Sequence, residues 1–304
     1  MQYPSCKHTT FKKMPLQISP SDKKALSSAK FSYLSFHRMK NVIYILFVMG
    51  LLAAGCTRRT SPSAKVPLAS GHRGTTAIAP ENTMASADSC IKYEAGNIEC
   101  DICISKDSVF YVLHDSMLDR TTNGTGNIKE WLSADIDTLD AGSWFAPEFA
   151  GQRIPRFADL LHKARLNGMK LTVDFRNGDM HKMLQLIRQE GMLENCNFSF
   201  YEESDTKRFR AIAPEVKTLQ AYVRNPGELK RVINELKPNI VTIQIDSLTP
   251  EFVQQCHEQG LLVNALILGL DDKTEQNQKA VDLGVDIVAT DRPEQFITKY
   301  GNGK

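Results

Sequence analysis

Three short runs of residues carry chemistry in this chain: Gly71-His72-Arg73-Gly74, Glu99-Cys100-Asp101 and His114-Asp115. Each lies at or near the end of a strand-like apolar run. Glu99 and Asp101 are two residues apart, so in an extended strand both carboxylates point to one face, close enough to share a hard cation. His72 and His114 supply two imidazoles able to exchange a proton near neutral pH. Taken singly, an acidic residue at a strand end more often meets solvent or caps a turn, and a lone histidine is more often a satisfied core or surface group. Their order and combination carry the reading.

The elements that must position these groups follow from about Val66 onward, where short β-rich runs alternate with longer helical patterns, as in a parallel sheet of βα units. The strand candidates are Val66 to Ser70, Asn97 to Ser105, Lys170 to Asp174, Cys196 to Phe200, Lys217 to Ala221, Ile240 to Ile245, Leu262 to Ile267 and Ile287 to Thr290. Helical stretches follow most of them, among them Asn82 to Lys92, Met180 to Glu190, Pro226 to Leu236 and Pro250 to Gln259, several with proline near the first turn. Eight such units predict an α/β fold, a (β/α)8 TIM barrel; a doubly wound open sheet fits the same alternation. In a barrel, groups at the C-terminal strand ends converge. That places His72 after the first strand, Glu99 and Asp101 in the second and Asp174 at the end of the third on one face. Val109 to Leu113 reads as an extra strand returning His114 to the mouth. Residues 115–155, rich in Gly, Asn, Thr and aromatics, interrupt the rhythm as an inserted loop subdomain after the second strand, a candidate lid or substrate-binding element.

With 304 residues, 42% hydrophobic and 24% charged, the chain suits one large core. The net charge is +2 and the basic residues are scattered, so no nucleic-acid partner is implied. Val42 to Ala54 is nearly unbroken apolar sequence, preceded by Arg38 and Lys40 and followed by Gly55-Cys56. That is too short for a spanning helix, which needs about 20 residues, and suits the apolar region of a signal peptide. Residues 39–56 therefore read as a lipoprotein-type signal, with Cys56 lipidated and Ala53 standing where leucine is commonest. The alternatives are an uncleaved anchor or a plain signal peptide. Residues 1–38 read as an upstream extension with Met39 the initiator, 57–65 as a tether and 66–304 as the catalytic domain. The product would be exported and membrane-anchored, facing the periplasm or cell exterior. Cys100 and Cys103, three apart in a strand, face opposite sides and read as small apolar fillers. Cys90, Cys196 and Cys256 have no evident partner.

From Gly71 through Glu81-Asn82-Thr83, Glu99, Asp101, His114-Asp115 and the run Leu118 to Gly126, the chain resembles the glycerophosphodiester phosphodiesterase family. Ala141-Gly142-Ser143-Trp144, Gly151 to Pro155, Gly284-Val285-Asp286 and Thr290-Asp291-Arg292-Pro293 extend the resemblance over about residues 66 to 300, in family order. It implies a small-molecule glycerophosphodiester substrate, cleaved to sn-glycerol 3-phosphate and an alcohol. It further implies one divalent cation, Mg2+ or Ca2+, on Glu99, Asp101 and Asp174, and His72 and His114 as the acid–base pair, with the division of roles left open. Arg73 and Arg176 are the expected phosphate clamps. Glu81 follows Pro80 at a helix start, where it could serve the helix dipole, and the resemblance gives it an active-site role. Asp291 and Arg292 read as braces of the last loop.

Two departures stand out. Asp174-Phe175-Arg176 replaces the usual Glu-x-Lys, though sphingomyelinase D-type relatives carry Asp-x-Lys there. Leu266 stands where the family commonly has a tryptophan facing the pocket, which opens the question of the alcohol. Competing readings are a sphingomyelinase D or phospholipase-like enzyme on intact lipids, favoured by an apolar rim, and a binding-only barrel, which would need a broken constellation.

Overall fold

The computed structural model describes residues 65–271 and 273–303. The signal-like segment, Cys56 and all but the last residue of the tether lie outside the described residues.

Among the described residues there are nine strands: β1 (Leu68–Gly71), β2 (Asn97–Ile104), β3 (Phe110–Val112), β4 (Lys170–Phe175), β5 (Cys196–Phe200), β6 (Gln220–Tyr222), β7 (Ile240–Gln244), β8 (Leu262–Ile267) and β9 (Ile287–Thr290). The helices are α1 (Met84–Lys92), α2 (Ser133–Ile136), α3 (Phe157–Leu166), α4 (Met180–Gln189), α5 (Glu203–Ile212), α6 (Leu229–Leu236), α7 (Pro250–Glu258), α8 (Thr274–Leu283) and α9 (Pro293–Tyr300). Eight strands are parallel, in the order β5-β4-β2-β1-β9-β8-β7-β6. The ring closes between β5 and β6 through a single bridge, Phe198 with Leu219, and a 2.9 Å bond from the Phe198 N–H to the Thr218 carbonyl. This nearly closed (β/α)8 barrel is the expected architecture and excludes the open doubly wound sheet.

Local chemistry sets the element ends. Thr83 caps α1 by accepting from the Ser86 N–H, and the Ser86 hydroxyl accepts from the Thr83 N–H in return. Asp179 caps α4, while Thr249 caps α7 with Pro250 at its first turn. The helix α6 buries Leu229, Val232 and Leu236, a spacing that makes one apolar stripe against the sheet. Two apolar shells result, between strands and helices. One is built on β2, β4 and β5 and centred on residues such as Ile102, Val173 and Phe198; the other, on β6 to β9, includes Val241, Val263 and Val288.

The strand β3 runs antiparallel to the far end of β2 and carries the chain back toward the mouth. Residues 115–155 then fold over their own small core, which includes Leu118, Ile128, Ile136 and Leu139 beside Tyr111 and Cys103. The buried Tyr111 ties this core to the barrel, its hydroxyl contacting the Ser133 carbonyl at 3.0 Å and Asp137 at 2.7 Å. The insertion is therefore an ordered subdomain. Cys100 and Cys103 pack in different cores on opposite faces of β2, and the five described cysteines are all free and buried.

Candidate active site

The constellation is assembled by the C-terminal ends of the strands. Parallel pairing sets Asp101 beside Asp174, and the two-residue strand period puts Glu99 on the same face as Asp101. The candidate ligand oxygens of Glu99, Asp101 and Asp174 all lie within 4.8 Å of one another. Glu99 and Asp174 are pushed well above the usual carboxylate range, first by burial and then by repulsion from Asp101. Asp101 is held low despite its burial, because the Arg176 and Arg73 guanidinium groups lie against it.

Each member is aimed by a specific contact. After β1 the chain turns through Arg73 and Gly74, both in the left-handed region at φ 54° and 90°. At Gly74 a Cβ would sit 2.4 Å from the Ser86 hydroxyl oxygen, so no larger residue fits this turn. The turn directs the Arg73 N–H onto Glu99 at 2.7 Å. Asn82, also left-handed at φ 54°, donates its amide to Asp101 at 2.9 Å. Arg176 donates to Asp101 through Nε and Nη2, at 2.9 and 2.6 Å, and lies 3.2 Å from Asp174.

Both histidines are held at Nδ1 by an aspartate. His72 meets Asp291 at 2.7 Å, and Asp291 also accepts from the Thr76 hydroxyl at 2.9 Å and the Gly269 N–H at 2.6 Å. Burial disfavours the imidazolium of His72, yet the Asp291 bond and the nearby Glu99 charge outweigh it and raise its pKa above the ordinary value. His114 meets Asp115 at 2.6 Å. In each case the contact is made at Nδ1, and Nε2 makes no hydrogen bond to another described residue.

A chain of ion pairs joins the two sides of the mouth. Asp115 accepts from Arg120 Nε at 2.5 Å, and Arg120 grips Glu81 with Nη1 and Nη2, each at 2.8 Å. Glu81 in turn holds Arg73 at 3.0 Å, and Arg73 Nε lies 3.4 Å from Asp101. Arg120 belongs to the inserted subdomain, so the insertion braces a histidine on one side and the carboxylate cluster on the other.

These groups border a cavity of about 580 Å³ whose wall includes His72, Glu99, His114, Asp174 and Arg176. Asp101 lies behind them, 1% exposed. Arg73 and Glu81 are not on this wall. The Arg73 guanidinium is engaged by Glu81 and Asp101, and both Glu81 oxygens are taken by arginines, a geometry in which the two residues brace the site.

Two residues deeper along the strands, the inward row is polar where barrels usually stack branched apolar side chains. Asn97 donates to Ser70 at 2.6 Å and to Thr172 at 3.0 Å; Gln220 also donates to Thr172, at 3.2 Å. Thr242 donates to Gln220 at 2.9 Å. Ser70, Thr172, Gln220, Thr242 and Asn264 form the cavity floor.

The donor set fits a hard divalent cation. It offers oxygen alone, the Asp174 Oδ1 atom is buried with no hydrogen-bond partner, and the raised carboxylates of Glu99 and Asp174 mark a local excess of negative charge. Asp291 as the partner of His72, Arg120 as a brace and the β6–β7 wall residues Tyr222 and Gln244 were not singled out from sequence. Asp291 follows the last strand and Arg120 sits in the Leu118 to Gly126 run, but nothing local in either pattern specifies its partner.

Residues 72–295 match the model of the glycerophosphoryl diester phosphodiesterase family. A putative glycerophosphodiester phosphodiesterase of Bacillus subtilis (strain 168) is 32% identical over 240 residues, covering 76% of this chain and 96% of that protein. The crystal structure of a glycerophosphodiester phosphodiesterase from Agrobacterium tumefaciens is 31% identical, with a TM-score of 0.70 over 76% of this chain and 99% of the other. An Oleispira antarctica phosphodiesterase solved with the product sn-glycerol-3-phosphate shares the fold at a TM-score of 0.69 and 24% identity, covering 77% of this chain and 96% of the other. With its barrel, its carboxylate cluster and its two aspartate-held histidines, the chain belongs to the glycerophosphoryl diester phosphodiesterase family.

Proposed function

We propose that this enzyme hydrolyses glycerophosphodiesters to sn-glycerol 3-phosphate and an alcohol, assisted by one divalent cation, Mg2+ or Ca2+, with His72 and His114 as the proton-transferring pair. The observation that carries the reading is the placement of two imidazoles, each fixed at Nδ1 by an aspartate, on one cavity wall with Glu99, Asp174 and Arg176. The solved relative that holds sn-glycerol-3-phosphate supports the product.

Glu99, Asp101 and Asp174 would hold the cation, which when bound supplies Lewis-acid polarisation of a phosphoryl oxygen. Arg176, anchored by Asp101, presents its guanidinium to the anionic diester. One histidine removes the proton from the attacking oxygen as it bonds to phosphorus, that of water or of the substrate's glycerol 2-hydroxyl, whose cyclic phosphate water then opens, and the other gives a proton to the alcohol oxygen as its P–O bond breaks. Asp291 and Asp115 fix the ring orientations and stabilise whichever imidazole is charged.

The polar floor of Ser70, Thr172, Gln220, Thr242 and Asn264 supports deacylated substrates over intact lipids, since acyl chains would strip these groups of hydrogen-bonding solvent without replacing it. We place the enzyme outside the cytoplasm on a lipid anchor at Cys56, a reading that rests on the sequence of residues 39–56. Labelling with radioactive palmitate, lost on Cys56→Ser, tests the anchor.

The test of the reaction is release of sn-glycerol 3-phosphate by the purified protein, in EDTA and after Mg2+ or Ca2+ is restored. Release that requires the cation, and is abolished in His72→Ala and in His114→Ala with the melting midpoint kept, is the expected result. Activity retained in both variants would overturn the histidine assignment.

A further inference from the structure

The metal-side wall of the cavity accounts for the phosphate; the opposite wall, from β6 to β8, has no role in that chemistry. We propose that this wall is the subsite for the leaving alcohol and that it selects a polyhydroxylated alcohol, of the glycerol or cyclic polyol class, over a cationic amino alcohol. The proposal rests on the phosphodiesterase reading above.

Hydrogen-bonding capacity is the first observation. Tyr222 and Gln244 line the cavity at the ends of adjacent strands, β6 and β7. Neither the Tyr222 hydroxyl nor the Gln244 amide hydrogen-bonds to another described residue. Together they present a hydroxyl that donates or accepts, an amide donor and an amide acceptor. Below them lie Gln220, Thr242 and Asn264, already linked to one another and therefore fixed in orientation. Adjacent donors and acceptors of both kinds suit vicinal hydroxyls, each of which also donates and accepts.

Apolar surface and charge agree with this choice. Leu266 and Leu268 complete the wall beside Gln244, giving the C–H face of a polyol an apolar contact while its hydroxyls turn to the amides. An ammonium would be recognised by a carboxylate or by aromatic faces, and of the rings on this cavity Phe200 packs on Phe175 and Phe209 while Tyr201 lies against the Arg176 guanidinium, which leaves the Tyr222 ring alone rather than a cage. Glu202, after β5, and Arg224, after β6, both line the cavity and cancel in net charge. Glu99 and Asp174 belong to the metal cluster across the cavity.

The experiment compares kcat/KM of the full-length protein, with Mg2+ or Ca2+, on four diesters that share the glycerol arm and differ in the alcohol. These are glycerophosphoinositol, glycerophosphoglycerol, glycerophosphocholine and glycerophosphoethanolamine. A preference for the two polyol diesters of about tenfold or more is expected, the worth of one to two hydrogen bonds that the cationic alcohols cannot make. Gln244→Leu should lower the polyol-to-choline ratio about tenfold and Tyr222→Phe by about threefold to fivefold. Tyr222→Phe reads the same wall should the leucine variant fold poorly. A parent enzyme that prefers choline or ethanolamine, or treats all four alike, overturns the proposal, as does a ratio unmoved by either substitution. A parent active on none of the four refutes the phosphodiesterase reading itself, and the alcohol assignment with it.

Discussion

Replacing Arg120 by methionine isolates the brace between the insertion and the barrel. Arg120 makes three charged contacts, two to Glu81 at 2.8 Å and one to Asp115 at 2.5 Å, and is itself 45% exposed. Exposed ion pairs contribute at most about 1 kcal/mol each and Arg120 makes two, so for a domain of this size the melting midpoint should fall by at most about 4–8 °C. Activity should suffer more. Without Arg120, Asp115 loses the contact that orients it toward His114, and Glu81 loses one of the two arginines that fix it against Arg73. A displacement of about 1 Å in a reacting group costs up to about 100-fold, so kcat/KM is expected to drop about 10- to 100-fold, equivalent to about 1.4–2.7 kcal/mol. Because Glu81 and Arg120 form one bridge, Glu81→Gln combined with Arg120→Met should be little worse than the poorer single variant. The assay is steady-state release of sn-glycerol 3-phosphate, with thermal melts in parallel. Unchanged kcat/KM in Arg120→Met would refute the brace; a large fall in midpoint accompanying the loss of activity would make its role one of folding.

Other perturbations probe the remaining parts. In the His72–Asp291 pair, the raised pKa of His72 means its contribution is full below about 6.5 and lost as pH rises through the raised value. The lowered pKa of Asp291, where burial is outweighed by the His72 bond, means its contribution is full above about 3.8 and lost as pH falls through the lowered value. Asp291→Asn should therefore lower the melting midpoint most at about pH 5–6 and progressively less toward pH 9, as pH-dependent melts would show. Cation at 100 times its dissociation constant should stabilise the protein by about 2.7 kcal/mol, a rise of roughly 5–11 °C that Asp174→Asn removes or sharply reduces. Phe198, fully buried with its ring centroid 4.7 Å from that of Phe209, sits at the β5–β6 closure. Phe198→Ala should cost about 3–5 kcal/mol and lower the midpoint by roughly 6–20 °C.

Much of this site was legible because strand geometry is periodic. Glu99 and Asp101 share a face by the two-residue rule, and strand-end placement brings His72 and Asp174 to the same mouth. What was not legible depends on partners far away in sequence. Asp291 binds His72 across 219 positions, and Glu81 is oriented by Arg120 across 39, contacts that no local spacing encodes. The sixth barrel strand shows the same limit. The apolar alternation of Lys217 to Ala221 suggests a strand there, but the ladder runs over Gln220–Tyr222, and Thr218 and Leu219 are spent on the closing contact with β5. The strand thus starts three residues later and ends one residue later, which brings Tyr222 into it and onto the cavity wall.

The polar row across the bore also bears on how the domain folds. Barrels filled with branched apolar side chains carry that packing across the bore, whereas here hydrogen-bonded amides and hydroxyls line it, and the two outer apolar shells share the partly buried Ile297. The Gln220 to Thr172 bond, which crosses from one half to the other, is directional and competes with water until the ring closes. The half built on β2, β4 and β5 and the half built on β6 to β9 are therefore expected to open as two cooperative units. Native-state hydrogen exchange should resolve them as separate openings, with the single-bridge seam between β5 and β6 the first to part.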